Sequence, residues 1–259
     1  MIYFDEKSPN KYSSLKKLIT PNDISGLTRV RYGQKDGSYV MAKEIFEGSR
    51  VLSYGINSDP NGCSFEEDVF EICEEIHMYD GSIDGYPARK NLPDNASFYK
   101  EFVTKDNFKS HFDKIFKSNE SKYTIKMDID GCEYDIFMED NLDIISKHIS
   151  QISFECHGLI EEHPPEWNVL QKILDIKKDM PKKEKFLNWL NKHFVLFHVH
   201  GNNHCPRYMD FPETLEMLYV NKKEIQDCVF IPCNYSMPIE GLDSPNYDGR
   251  SDYILDWWL

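Results

Sequence analysis

The chain has 259 residues, 44 of them acidic and 30 basic, for a formal charge of −14 at neutral pH. At this length it can bury a substantial core, and 40 % apolar with 29 % charged residues is a globular composition, not a disordered one. The acidic excess argues against a partner held mainly through phosphates, such as duplex DNA or an anionic membrane, but not against a small anion in a local pocket.

From about residue 50 to 225, short apolar or β-branched runs alternate with helical patterns. Residues 50–54 (RVLSY) predict a first strand ending at Gly55. Residues 64–75 (SFEEDVFEICEE) then place Phe65, Val69, Ile72 and Cys73 on one helical face, with Ser64 and Glu67 as a capping box. Second and third strands follow at 76–80 and 97–104, and a helical stripe of Phe108, Phe112, Ile115 and Phe116 at 107–116. A fourth strand at 123–129 (YTIKMDI), a helix over 134–149 and a fifth strand at 151–157 (QISFECH) come next. The excursion 158–185 contains His163-Pro164-Pro165 and a lysine-rich segment. A helix at 186–193, a sixth strand at 194–200 (FVLFHVH) and a last strand at 215–220 (LEMLYV) complete the pattern.

Such alternation means a mostly parallel sheet with helices on both faces. The last two strands, joined by a loop and not a helix, are expected to pair antiparallel at the sheet edge. The expected architecture is one Rossmann-like α/β domain over 1–259: an N-terminal cover at 1–45, a core at 46–225 and an extended tail at 226–259. No apolar run approaches the roughly 18–20 residues of a membrane span. The N-terminus MIYFDEKSPNKYSSLKK lacks the order of a secretory signal. Seven scattered cysteines without a C-x-x-C pair are the usage of a reducing cytosol, so a cytoplasmic protein is expected.

In an open α/β sheet, ligands bind outside the carboxyl ends of the strands. The first strand ends Ser53-Tyr54-Gly55-Ile56-Asn57-Ser58-Asp59, and the second Asp80-Gly81-Ser82. A glycine turn beside an acidic strand end that can clamp ribose hydroxyls points to an adenosine-type cofactor held by Ser53, Gly55, Asn57, Asp80 and Gly81. The loop GINSDPNG has no full G-x-G-x-x-G and no basic residue, so S-adenosylmethionine suits it better than a pyrophosphate. Taken alone, Gly55 is equally a plain strand-to-helix turn.

A second constellation ends strands four, five and six: Asp128 and Asp130, Glu155 and His157, His198 and His200, each pair on one face by the strand period of two. If these strands are close neighbours, carboxylates and imidazoles converge at one rim. They form either a divalent-metal site or a buried hydrogen-bond network capping the strand ends.

The segments RVRYGQKDGSYVM, VLSYGINSD, SFE, HMYDGS, KMDIDGCEYDIF, QISFECHG, FHVHGNN and LDSPNYDGR, in this order over about 29–249, resemble FkbM-like and related Rossmann methyltransferases that use S-adenosylmethionine. KMDIDGCEY is similar to that family's K-x-D-x-E-G, with Asp130 in place of glutamate, and Asp36 to Tyr39 (DGSY) to a D-G-G-Y motif whose second glycine is replaced. The resemblance implies a class I methyltransferase sheet of seven strands, the last antiparallel, and methyl transfer to oxygen. It also implies a cofactor contact at Tyr39 and Glu66 by motif position. Sugar O-methyltransferases of the TylF type hold Mg²⁺ at equivalent strand ends.

On this basis Asp128, His157 and His200 are the expected ligands of a divalent metal. Iron or manganese competes with magnesium there, because histidine ligands disfavour magnesium. Asp130, Glu155 and His198 are reserve ligands or the proton acceptor, and Asn202 and Asn203 are candidates for substrate hydroxyls. The expected acceptor is a sugar or nucleotide-sugar, such as a capsular or other surface-polysaccharide precursor. A phosphate-type oxygen of a glycan modification, an amine, a metal-dependent hydrolase and a binding protein without turnover are the alternatives. Lys177, Lys178, Lys182, Lys183 and Lys185 either meet a nucleotide diphosphate or form a solvated helix face. Trp257 and Trp258 are expected to pack the tail or the partner subunit of a homodimer.

Overall fold

The computed structural model describes residues 11–56, 65–87, 91–137, 139–161 and 179–259. The chain opens with α1 (Ser13–Leu18), β1 (Asn22–Ile24), the antiparallel hairpin β2 (Arg29–Tyr32) and β3 (Tyr39–Ala42), and α2 (Lys43–Phe46). The alternating core follows: β4 (Arg50–Tyr54), α3 (Phe65–Val69), β5 (Glu75–Tyr79), β6 (Ala96–Tyr99), α4 (Phe108–Ile115), β7 (Tyr123–Met127), α5 (Glu133–Ile136), α6 (Glu139–His148) and β8 (Ile149–Cys156). After it come α7 (Met180–His193), β9 (Phe194–Gly201), the short strands β10 (Arg207–Tyr208) and β11 (Phe211–Pro212), β12 (Leu215–Asn221) and β13 (Phe230–Pro232).

Seven strands form one sheet in the order β6-β5-β4-β7-β8-β12-β9. β4, β5, β6, β7 and β8 run parallel, and β12 is antiparallel to both β8 and β9. This is the class I methyltransferase fold. As expected, the last two strands, β9 and β12, pair antiparallel at the sheet edge. One difference from expectation matters: β12 inserts between β8 and β9, so β9 is the edge strand. The sixth strand in sequence is therefore one strand removed from the fifth.

Both faces of the sheet are buried, as the near-continuous apolar runs of parallel strands require. One face packs on α1, α4, α6 and α7 through Leu15, Phe108, Phe112, Ile145, Phe186 and Leu190. The other is covered by the β2–β3 hairpin with α2 and α3, through Tyr39, Met41, Phe46, Phe65 and Val69. On α4, Phe108, His111, Phe112 and Ile115 are buried at helical spacing, while Phe116 falls just beyond the helix and is exposed.

Element boundaries depart from the periodicity where side chains or neighbouring turns take the backbone groups. α3 stops at Val69 because Gly48 donates to the Ile72 carbonyl and Glu74 donates to Ser49, turning the chain into β5. The helix predicted over 134–149 is split into α5 and α6. The Asn141 amide takes the Ile136 carbonyl at 3.0 Å, so the helix ends there. α7 starts six residues earlier than predicted, at Met180, where Asp179 caps the Lys182 N–H at 3.0 Å and Pro181 occupies the first turn.

Two lysines of the run are engaged within the protein. Lys182 pairs with Asp135, and Lys183 is buried with its ammonium on the Gly158 carbonyl. Lys177 and Lys178, like His163-Pro164-Pro165 and the proposed cap Ser64, lie outside the described residues. The tail returns over the N-terminal segment. β13 pairs antiparallel with β1, Trp257 donates to the Ile19 carbonyl at 3.0 Å, and Trp258 donates to that of Tyr235 at 3.1 Å. No described helix is long and apolar enough to cross a membrane.

Candidate active site

Three parallel strands, β4, β5 and β7, deliver their carboxyl ends to one cavity. β4 ends at Gly55, which has φ +75°. A Cβ there would lie 1.7 Å from the Asp128 carbonyl oxygen, so only glycine lets the turns after β4 and β7 lie back to back. β5 ends at Asp80, whose Oδ1 accepts from the Ser82 N–H and hydroxyl at 2.7 and 2.6 Å. Its Oδ2 accepts from the Ile56 N–H at 2.9 Å. One carboxylate thus locks the first turn to the second.

The cavity, about 280 Å³, is lined by Asp36, Gly37, Tyr39, Gly55, Ile56, Glu66, Asp80, Ser82, Lys126, Asp128 and Asp130. Five carboxylates face one lysine, so the field inside favours a cation. Lys126 is buried, with its ammonium on the Gly55 carbonyl, 3.7 Å from Glu66 Oε1 and 4.7 Å from the Tyr39 ring centroid. Burial and the nearby Asp128 charge raise the Tyr39 phenol well above its ordinary range. It is therefore a neutral donor, giving its hydrogen to Asp128 Oδ2 at 3.0 Å.

Tyr39, Gly55, Glu66 and Asp80 thus line one pocket. Ser53 does not line it but stands behind it, donating to Glu66 Oε1 at 2.6 Å. Gly81 also lies outside the lining; its missing side chain makes room for the Phe102 ring, 2.3 Å from where a Cβ would be. Asn57 falls outside the described residues.

Beside this cavity, ligand atoms of Asp128, Asp130 and His157 lie within 4.8 Å of one another. His157 follows β8 and is buried. Its Nδ1 is 2.7 Å from Glu133 Oε1, and its Nε2 is 3.3 Å from Glu155 Oε2 and 3.9 Å from Asp128 Oδ1. Burial alone would lower its pKa, but the Glu133 and Glu155 carboxylates outweigh that and raise it well above the ordinary imidazole range. Burial and the Asp128 charge push Glu155 up as well.

His200 does not join this group. β12 intervenes, setting Glu216 opposite Glu155 on one side and opposite His200 on the other. The His200 ring is held between Glu216 Oε2 at 3.2 Å and Asp252 Oδ2 at 3.0 Å, and Asp130 is the third member of the cluster in its place. His198 is likewise turned to the tail, 2.9 Å from Asp243 Oδ1, so the structure does not place it for proton transfer in the cavity. The Asn202 amide bridges Asp36 (3.1 Å) and Glu155 (3.3 Å), and the Asn203 amide holds the tail carbonyls of Tyr247 and Arg250, both at 3.0 Å. Both asparagine side chains are buried and engaged within the protein, which argues against their contacting substrate.

Three further residues matter here. Asp36 lines the cavity and accepts from both Asn202 and Asn246, each at 3.1 Å. Burial, Asp128 and Glu216 together raise its pKa. Lys126 and Glu133 carry signals of a weaker kind: a lysine inside an apolar strand needs a partner, whereas an acidic residue in a first helical turn is ordinary.

A scan against protein-family models finds no match, and a search of curated proteins finds none either. Among solved structures, a fibrillarin pre-rRNA processing protein of Methanococcus jannaschii aligns at 10 % identity, covering 68 % of each chain with a TM-score of 0.39. An rRNA methylase of Streptococcus thermophilus aligns at 8 % identity over 69 % of this chain and 91 % of its own, with a TM-score of 0.36. Likeness at this level transfers no role to any residue.

Proposed function

We propose that the chain is an S-adenosylmethionine-dependent O-methyltransferase acting on a sugar hydroxyl, of a nucleotide-linked sugar or surface-polysaccharide precursor, with a divalent metal assisting. The observation that carries this reading is an acid-lined cavity at the carboxyl ends of β4, β5 and β7 in a class I methyltransferase sheet. The sulfonium and the ammonium of S-adenosylmethionine are both cations, and five carboxylates against one lysine favour them, whereas a pyrophosphate would be repelled. Asp80 Oδ2 carries one protein hydrogen bond and keeps a lone pair for a ribose hydroxyl. Glu66 and Asp36 face the remaining positive groups.

S-adenosylmethionine supplies an electrophilic methyl group, transferred in line to the acceptor oxygen as the neutral thioether leaves. The residues of the chain position the acceptor and handle its proton. Asp128, Asp130 and the His157 Nε2 would hold the metal: two carboxylates and one imidazole leave open positions and suit manganese or iron, with magnesium admissible. There it would lower the pKa of a bound hydroxyl. Asp130, the exposed member, offers one oxygen to the metal and would use the other to pass the released proton to solvent, while Tyr39 steadies Asp128.

Calorimetry with S-adenosylmethionine and S-adenosylhomocysteine tests the reading, with micromolar binding expected. Asp80→Asn, which removes the charge from a ribose hydrogen bond, should weaken that binding about tenfold or more. Transfer of a labelled methyl group to a panel of nucleotide sugars and free glycans identifies the acceptor. Asp128→Asn should then lower kcat by about a hundredfold or more while S-adenosylhomocysteine still binds. Failure of both ligands to bind removes the methyltransferase reading and leaves a metal-dependent hydrolase in its place.

A further inference from the structure

Glu133, the first residue of α5, reaches both halves of the Asp128–Asp130–His157 cluster. Its side chain is buried, and one oxygen, Oε1, takes three donors. These are the Ile129 N–H at 3.4 Å, the Gly131 N–H at 3.2 Å and the His157 Nδ1 at 2.7 Å. The first two belong to the turn after β7 that carries the aspartates; the third belongs to the end of β8. We propose that Glu133 is the positioning residue that assembles a divalent-cation site from Asp128, Asp130 and His157. The purpose of the cation rests on the methyltransferase reading.

Two features of the turn support this. Asp130 has φ +55° and Gly131 φ +98°, consecutive left-handed residues that present the flanking amides to a single anion. A left-handed non-glycine residue persists when its surroundings over-determine it, and here the Glu133 carboxylate holds the amides on either side of Asp130. The second feature is the ring. With Nδ1 engaged by Glu133, Nε2 is the nitrogen left to face Asp128 Oδ1 at 3.9 Å. A carboxylate behind the ligating imidazole fixes its tautomer and orientation. Nε2 also lies 3.3 Å from Glu155 Oε2, a contact that a bound cation would replace.

The test is Mn²⁺ titration of the full chain by electron paramagnetic resonance, with S-adenosylhomocysteine calorimetry and melting curves alongside. Glu133→Gln keeps the volume and one carbonyl acceptor, and should weaken Mn²⁺ binding about tenfold or more; Glu133→Ala should weaken it by about a hundredfold. S-adenosylhomocysteine affinity should stay unchanged in Glu133→Gln. A low-field His157 Nδ1–H resonance should be present in the wild type and absent from Glu133→Gln, a readout that a general loss of stability would not move. Wild-type Mn²⁺ affinity in Glu133→Gln overturns the proposal, and so does a wild type that takes no Mn²⁺ or lacks the resonance. S-adenosylhomocysteine binding without Mn²⁺ leaves the methyltransferase reading standing while ending this one; binding of neither ends both.

Discussion

Arg31→Met should lower stability by about 3–5 kcal/mol, the usual consequence of leaving buried charges without their partner. Arg31 lies on β2, its side chain 8 % exposed, and its guanidinium reaches Asp243 Oδ1 at 2.7 Å, Glu216 Oε2 at 3.2 Å, the Ser38 hydroxyl at 2.8 Å and the Leu242 carbonyl at 3.2 Å. It therefore ties three parts of the chain together: the hairpin, the inserted strand β12 and the tail. Methionine fills much of the same volume, so the loss is chiefly electrostatic. For a chain of this size the melting temperature should fall by about 10 °C. Adding Asp243→Asn to Arg31→Met should recover part of the loss, because it removes one of the two carboxylate charges that Arg31 balances. A single variant melting within about 2 °C of the wild type would show that the tail is held by packing instead.

The same network fixes a pH window. Burial alone would raise Glu216, but the charges of Arg31 and His200 outweigh it and hold the carboxyl at about 2, against an ordinary 4.5. A depressed carboxylate contributes stability above its unfolded value and loses it as pH falls toward the folded one. His200 runs the other way. Burial would lower it, yet Glu216 and Asp252 raise it to about 10 from 6.5, so its contribution is complete below 6.5 and is lost as pH rises toward 10. Both contributions are whole between pH 4.5 and 6.5. The melting temperature of the wild type should plateau there and decline on each side. In Arg31→Met the acid limb should move up toward 4.5, since one of the two charges holding Glu216 down is gone.

How far the site can be read from sequence depends on whether the deciding interaction is local. Gly55, Asp80, Asp128 and His157 are legible because each terminates an apolar run, and a parallel sheet puts such ends at one rim. Asp130 is legible as a reserve member of this group; what is not legible is that His200 stands apart from it. That separation turns on β12 inserting between β8 and β9, and a returning strand carries no local mark of which neighbour it will choose. The same insertion explains His198, which follows the strand period faithfully but faces a tail aspartate 45 residues away in sequence. Asn202 and Asn203 read as turn residues free for substrate, because their partners Asp36, Glu155, Tyr247 and Arg250 come from distant segments. Glu133 is three residues past Asp130 in a first helical turn, where an acidic residue needs no special reason. Its role emerges only once the β7 turn folds back over it.

Gly55→Ala should have the largest effect on the site itself. At φ +75° an alanine bears left-handed strain of about 1–2 kcal/mol. That part alone can be measured at Gly48, which has φ +72° and nothing within 4 Å of an added Cβ. Gly55 adds a collision, because its Cβ would meet the Asp128 carbonyl oxygen at 1.7 Å and the carbonyl carbon at 2.8 Å. Backbone cannot swing aside as a side chain can. The two turns are also bonded to each other and to β5: Asp128 donates to the Tyr54 carbonyl at 2.9 Å, Gly55 donates to that of Tyr79 at 3.1 Å, and Lys126 grips the Gly55 carbonyl. Relieving the clash must break this set and displace Asp128, with both the cavity floor and the Asp128–Asp130–His157 group moving together. The added penalty for forcing atoms into a packed site is about 1–3 kcal/mol. Gly48→Ala should therefore melt a few degrees low and bind S-adenosylhomocysteine normally. Gly55→Ala should melt lower still and lose both that ligand and Mn²⁺ by about a hundredfold or more, since a misplacement of about 1 Å is enough for such a loss. Retention of both ligands by Gly55→Ala would mean that neither is held at this turn.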